Sequence, residues 1–358
     1  MSFHEILIWI MAGFAVLGAI DRIFGNRWGL GKEFEEGIQA MGSLALAMVG
    51  IVCLAPVLAN LLKPVVVPVY RFLGADPAMF AGTILACDMG GGALAAAMTD
   101  NAQAALLGGV LTGSMLGATL VFTIPVAMGI LQESDRPYMA KGILCGIVTI
   151  PLGVLAGGLA AGFPLGMVVR NLVPIVLIAG LIAFGLWKSE KAMVQGFTVF
   201  GKLVVVIVTV GLAAAVVEAL TGYPVIAGMA PISEGFETVG TIAIILAGAF
   251  PLVLVLTRLL RRPLMAAGKW LGINDAAAAG LIASLANSIA TFGLVRDMNV
   301  RGKVVNIAFA VSAAFVFGDH LGFTAGFAPE MLMSMIVGKL VGGVSAVAVA
   351  LWLTREEA

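Results

Sequence analysis

Long apolar runs, separated by short charged connections, set the pattern of this chain. A helix crosses a bilayer core with about 20 predominantly apolar residues. By that rule the sequence divides into eleven hydrophobic segments, at about 5–23, 36–62, 78–99, 103–131, 138–163, 168–187, 198–220, 235–260, 275–296, 303–327 and 330–353. The connections are short, as at 21–36, 133–136 and 188–191, and none has room for a soluble domain. The pattern predicts an all-α polytopic membrane protein.

The pattern also repeats. A shift of about 198 residues brings Gly13 onto Gly211, Glu36-Gly37 onto Glu234-Gly235, Leu73-Gly74 onto Leu271-Gly272 and Gly82 onto Gly280. Leu61-Leu62-Lys63 falls on Leu259-Leu260-Arg261 at the same shift. After an insertion the shift becomes about 201, and Gly117 meets Gly318. Segments one to five therefore repeat as seven to eleven, with segment six between them. This divides one integral membrane domain into a first repeat (1–165), a linker transmembrane helix (166–197) and a second repeat (198–358).

Segment three carries the chemistry. In GTILACDMGGGALA, Asp88 stands in an apolar run and is followed by Met89, Gly90, Gly91 and Gly92. An acid at bilayer depth costs about 2.5–3.5 kcal/mol on insertion scales and marks a functional position by default. Consecutive glycines interrupt a helix, and interrupted backbone at that depth is tolerated only against protein or a water-filled cavity. A carboxylate beside freed backbone suits a small polar solute. The competing reading is a glycine-rich packing seam with Asp88 bonded to a neighbour. The repeat sets the polar stretch SLANS, with Asn287 and Ser288, opposite Asp88. Paired interruptions at corresponding places point to a transporter's binding site.

Loop charge bears on whether segments three and nine cross or return, because cytoplasmic loops are enriched in Lys and Arg. If all eleven segments cross, the loop charges split almost evenly. If three and nine are re-entrant hairpins, sixteen Lys and Arg fall on one side and three (Lys63, Arg71 and Arg170) on the other, with Lys339 inside a segment. The asymmetry predicts nine crossings, two re-entrant hairpins, an outside N-terminus and a cytoplasmic C-terminus. The second repeat is then inverted relative to the first, and each hairpin tip reaches the midplane.

Other polar residues interrupt apolar runs. Asp319 and His320 lie in segment ten and Lys339 in segment eleven. In this topology Asp319 and Lys339 share a depth, and pairing would neutralise both; a substrate or gating role is the alternative. His320 is a pH-sensitive candidate or a satisfied core residue. Glu36 with Gln39, and Glu234 with Glu237, open equivalent helices, where an acid complements the helix dipole.

Composition sharpens the class. The chain is 61% hydrophobic and 11% charged, with mean hydropathy +1.10; soluble domains carry about 25% charged residues. The formal net charge is zero and no basic block exists, so nothing suggests nucleic acid. Cys53, Cys87 and Cys145 have no metal-ligand spacing and suggest no disulfide. MSFHE has no positive n-region, which predicts a retained first span rather than a signal peptide. With two histidines and no HExxH, GxSxG or paired catalytic acids, the sequence offers no enzyme, metal or cofactor site. A non-transporting regulatory component has no need of broken polar backbone at the midplane.

With these residues in view, the chain resembles the ethanolamine-utilisation permeases, the EutH family. The resemblance runs the full length and rests on ACDMGGGALAAAMTDN, EGFETVGTIAIILAGAFPL, LIASLANSIATFG and FVFGDHLGF. It implies ethanolamine uptake across a bacterial inner membrane for cobalamin-dependent breakdown. The hairpin-bearing repeats also resemble concentrative nucleoside transporters and related gate domains at the level of fold, which carries no substrate. Ethanolamine is a cation at neutral pH, with an amine like that of lysine. Asp88 would pair with the ammonium, and Asn287 or Ser288 with the hydroxyl. Another small polar amine, a nucleoside-like solute and a homo-oligomeric assembly stay open at this level.

Overall fold

The structure is a computed structural model that describes residues 3–355. Met1 and Ser2 of the N-terminal stretch lie outside the described residues, as do the side chains of Leu260 and Lys269, which entered the repeat and charge comparisons. The described residues are mostly helical, without strands. In order the elements are α1 (Phe3–Ile23), α2 (Leu30–Phe72), α3 (Ala78–Ile84), α4 (Gly92–Met98), α5 (Ala102–Ile130), α6 (Glu133–Ala160), α7 (Leu165–Lys188) and α8 (Glu190–Thr221). There follow α9 (Ile232–Trp270), α10 (Asp275–Ala286), α11 (Ser288–Leu294), α12 (Val300–Ala313), α13 (Asp319–Phe327) and α14 (Pro329–Leu353).

Eight of these helices are long and apolar enough to cross a membrane: α1, α2, α5, α6, α7, α8, α9 and α14. The nine crossings expected from the sequence included segment ten as one rod. That segment is instead split into α12 and α13. Segments three and nine are also split, into α3 and α4 and into α10 and α11. Where helices form, the apolar runs locate them, but they extend beyond the apolar window. With 43 residues, α2 is about 65 Å long at 1.5 Å per residue, twice the hydrocarbon thickness. Lys63 and Arg71, read from sequence as loop charges, therefore ride on a helix. Glu36 likewise does not open its helix, since α2 begins at Leu30.

The core forms around α5 and α12. Every residue of α5 from Leu107 to Val121 is buried, and so is nearly all of α12. Helices α1, α7 and α8 are peripheral, with Trp9, Leu181, Trp187 and Val206 exposed. Such an apolar periphery suits lipid. Glycines set the close crossings, as is usual where lipid removes the hydrophobic drive for helix pairing. Gly37 of α2 abuts the backbone of Leu246 and Ala247 on α9, while Gly235 of α9 abuts Val49 of α2. The two helices therefore run antiparallel, and the contacts are reciprocal at the shift that relates the sequence halves. A similar pairing, one residue off that shift, joins Gly50 to the Val208 carbonyl of α8 and Gly248 to the Met11 carbonyl of α1.

Hydrogen bonds join the two ends of the split segments three and nine. Thr99, after α4, donates its hydroxyl to the Asp76 carboxylate ahead of α3 at 2.9 Å. Asn274, ahead of α10, donates its side-chain amide to the Asp297 carbonyl beyond α11 at 2.8 Å. In each pair the two short helices pack on each other. The flanking caps correspond as well. Asn101 accepts from the Ala104 N–H and Asn299 from the Gly302 N–H, each satisfying an otherwise orphaned donor at a helix start.

Candidate binding site at the broken helices

The α3–α4 connection owes its shape to its residue types. Leu85 and Ala86 are extended, ending α3. The Ala86 carbonyl then accepts from the N–H groups of both Met89 and Gly91. Gly90 adopts φ +92°, and a Cβ there would strike Ile51, so only glycine fits. This tight turn holds Asp88 at the tip of the pair. Gly117 of α5 lies directly under the Leu85 carbonyl.

The α10–α11 connection is simpler. Asn287 is extended, and its side-chain oxygen caps α11 by accepting from the Ile289 N–H at 2.8 Å. Ser288 is buried with no hydrogen-bond partner for its hydroxyl. This tip is tied to the α12–α13 break. Phe315, at φ +63°, donates its N–H to the Ser284 carbonyl at 3.0 Å, and Phe317 donates to Leu285 at 2.9 Å. Gly318 packs on the Ala286 carbonyl as Gly117 packs on that of Leu85. Segment ten can break because the N–H groups it frees find carbonyls on α10, as buried backbone requires.

The first tip and the α12–α13 break face each other across a small cavity of about 30 Å³, lined by Ala86, Asp88, Met89, Ala118, Phe122, Phe315, Asp319 and His320. Such a space admits one water-sized molecule. His320 Nε2 stands 3.7 Å from an Asp88 carboxylate oxygen, and its Nδ1 has no partner. Phe315 packs on Phe122 (ring centroids 5.4 Å apart) and on His320 (5.2 Å). Asp319 stands in the first turn of α13, the positive end of that helix. Two carboxylates lining one cavity make a cation-seeking space, and aromatic side chains can add attraction for a cation.

Of the residues singled out from the sequence, Asp88, Met89, Asp319 and His320 line this cavity. Gly90 and Gly91 shape the turn behind it. Asn287 and Ser288 are not among its lining residues; their tip braces the break that supplies Asp319 and His320. Lys339 does not pair with Asp319. Its buried ammonium donates to the Ser114 carbonyl at 2.6 Å, and no ion pair joins Lys339 to Asp319 among the described residues. Glu36 is exposed and paired with Lys32 at 3.4 Å, Gln39 donates to Glu35, and Glu234 and Glu237 are exposed. Phe122 and Phe315, missed in the sequence, are ordinary apolar residues far apart in the chain, and only the fold brings them together.

Eight long apolar helices enclosing a broken-helix site with carboxylates define a multi-pass membrane protein. The family model described as "Ethanolamine utilisation protein, EutH" matches residues 3–353, and the chain belongs to that family. It is 59% identical over 356 residues to the "Probable ethanolamine permease EutH" of Listeria monocytogenes, covering 99% of this chain and 95% of the relative. It is 52% identical over 357 residues to the "Uncharacterized protein YxeR" of Bacillus subtilis, covering 100% and 96%. The "Probable ethanolamine permease EutH" of Escherichia coli is 47% identical over 395 residues, covering 100% and 97%. No solved structure matches the chain.

Proposed function

We propose that this protein is a permease that carries ethanolamine, as its ammonium cation, across the bacterial inner membrane. The observation that carries the reading is that Asp88 and Asp319 line one small cavity together with Phe122 and Phe315 at broken helices. A desolvated ammonium needs an opposite charge, and Asp88 supplies it from the first tip. Asp319, Phe122 and Phe315 complete the cation's surroundings. The names of the Listeria and E. coli relatives agree with this substrate.

The architecture we propose has two inverted repeats, 1–165 and 198–358, about a linker helix, with the α3–α4 and α10–α11 pairs as re-entrant hairpins. Two observations support it: the antiparallel, reciprocal crossing of α2 and α9, and the hydrogen-bonded bases at Asp76–Thr99 and Asn274–Asp297. With α12 and α13 together making a ninth, broken crossing, the sixteen-to-three charge asymmetry favours an N-terminus outside and a C-terminus in the cytoplasm. Ethanolamine, with two carbons, a nitrogen and an oxygen, is too large for a cavity of about 30 Å³. Binding therefore requires the first tip or α13 to shift, and both are bounded by breaks in the helices.

Radiolabelled ethanolamine uptake into proteoliposomes of the purified protein tests the reading. Uptake above protein-free vesicles, competed by unlabelled ethanolamine, is expected. Folded protein without uptake would favour a regulatory membrane component instead.

A further inference from the structure

At the first tip, three side chains that the transport reading does not use together converge. Cys87 Sγ lies 3.9 Å from an Asp88 carboxylate oxygen, and His320 Nε2 lies 3.7 Å from the same oxygen. All three ligand atoms fall within 4.8 Å of one another. Cys87 and His320 are buried and come from distant parts of the chain, so no sequence spacing announces the trio.

From this geometry we propose that Cys87, Asp88 and His320 form a binding site for a borderline-soft divalent cation of the zinc type. In a tetrahedral site, metal bonds of about 2.3 Å to sulfur and about 2.0–2.2 Å to nitrogen and oxygen put ligand atoms roughly 3.3–3.6 Å apart. The observed separations exceed that by only a few tenths of an ångström to about one, within reach of side-chain rotation. The donor set of thiolate, imidazole and carboxylate selects zinc or cadmium over magnesium or calcium, which prefer all-oxygen shells. The fourth position opens toward the cavity that Asp88 and His320 line, where a water would complete the shell. Binding converts the Cys87 thiol to thiolate, with its proton released to solvent. The metal is not reduced or oxidised.

Such a metal ties the first tip, through Cys87 and Asp88, to α13, through His320. It also occupies the Asp88 carboxylate. Given the transport reading above, metal and ammonium exclude each other, and the metal holds still the two elements that must separate to admit substrate. The site is thus an inhibitory one.

The test uses cadmium as the probe, because cadmium–thiolate coordination has its own charge-transfer absorbance and needs no substrate. Purified full-length protein in nanodiscs is titrated with cadmium, alongside Cys87→Ser, His320→Gln and the double variant Cys53→Ser, Cys145→Ser, in which Cys87 is the sole thiol. Saturable absorbance at one metal per chain is expected in the wild type and the sole-thiol variant. It should vanish in Cys87→Ser. In His320→Gln affinity should fall by at least the roughly 10–100-fold that even loss of an outer-shell partner costs. Absorbance that persists in Cys87→Ser, or unchanged affinity in His320→Gln, would overturn the site whatever the outcome of transport assays. If the band forms but cadmium leaves ethanolamine uptake unchanged, the inhibitory role falls and the metal site stands.

Discussion

Asp88→Asn isolates the charge on which the proposed site depends. The substitution keeps the volume of the side chain and most of its hydrogen-bonding capacity. Its neighbours are only weakly held by the carboxylate: His320 Nε2 is 3.7 Å away, and the Cys87 thiol donates over a long 3.9 Å, a weak bond that an amide oxygen can also accept. The turn is held by backbone bonds to the Ala86 carbonyl and by Gly90. Buried Lys339 feels the Asp88 charge, but its ammonium keeps its bond to the Ser114 carbonyl, so folding should survive, and relief of a buried functional carboxylate offsets the lost attraction. Binding should not survive intact. A hydrogen bond to a charged group contributes about 1.5–3 kcal/mol, and about 1.4 kcal/mol is a factor of ten. Ethanolamine affinity should fall roughly ten- to 150-fold. Calorimetric titration of wild type and variant in detergent, with thermal unfolding as the folding control, measures both expectations. Equal affinities with both proteins folded would refute the assignment and shift the cation to Asp319.

Three further outcomes are expected. A double-mutant cycle of Asp319→Asn and Lys339→Met, read by thermal unfolding, should give a coupling near the additive limit of about 0.3–0.5 kcal/mol, because Lys339 bonds the Ser114 carbonyl; a coupling of several kcal/mol would restore the ion pair. Gly318→Ala places a methyl against the Ala286 carbonyl and should destabilise by at least the 1–3 kcal/mol typical of overpacking, whereas Gly180→Ala, with open space around it, should be nearly neutral in the same melt. Cysteines introduced at Arg71 and Asp100 should react with an impermeant maleimide from one side only, since both positions line the surface cavity at the base of the α3–α4 pair; labelling from opposite sides would mean that segment three crosses.

Much of this arrangement can be read from residue order. The apolar runs locate all eight long helices, because twenty apolar residues have few alternatives to a membrane helix. The breaks at Asp88 and Asn287 announce themselves through glycines and a polar, helix-capping residue. The break before α13 does not, since AAFVFG reads as continuous apolar helix and its N–H groups are rescued by carbonyls on α10. That hidden break is why the repeat points to Asn287 as Asp88's counterpart, while the cavity takes its far wall from Phe315, Asp319 and His320. The partner of Lys339 is hidden for a related reason. It is a backbone carbonyl in the stretch Leu107–Gly117, which is wound as a π-helix. Such winding shifts hydrogen bonds from the usual partner, and no side-chain pattern reports it.

If ethanolamine moves as a cation through this protein, its distribution must follow the membrane potential. A potential of 100 mV acts on one charge with about 2.3 kcal/mol, enough for roughly 50-fold accumulation at about 1.4 kcal/mol per factor of ten. Proteoliposomes loaded with potassium and treated with valinomycin in low-potassium buffer give that inside-negative potential. Labelled ethanolamine should accumulate against its gradient in step with the imposed potential, and should fail to do so with Asp88→Asn. Uptake indifferent to the potential, or equal in the variant, would contradict carriage of the cation at Asp88.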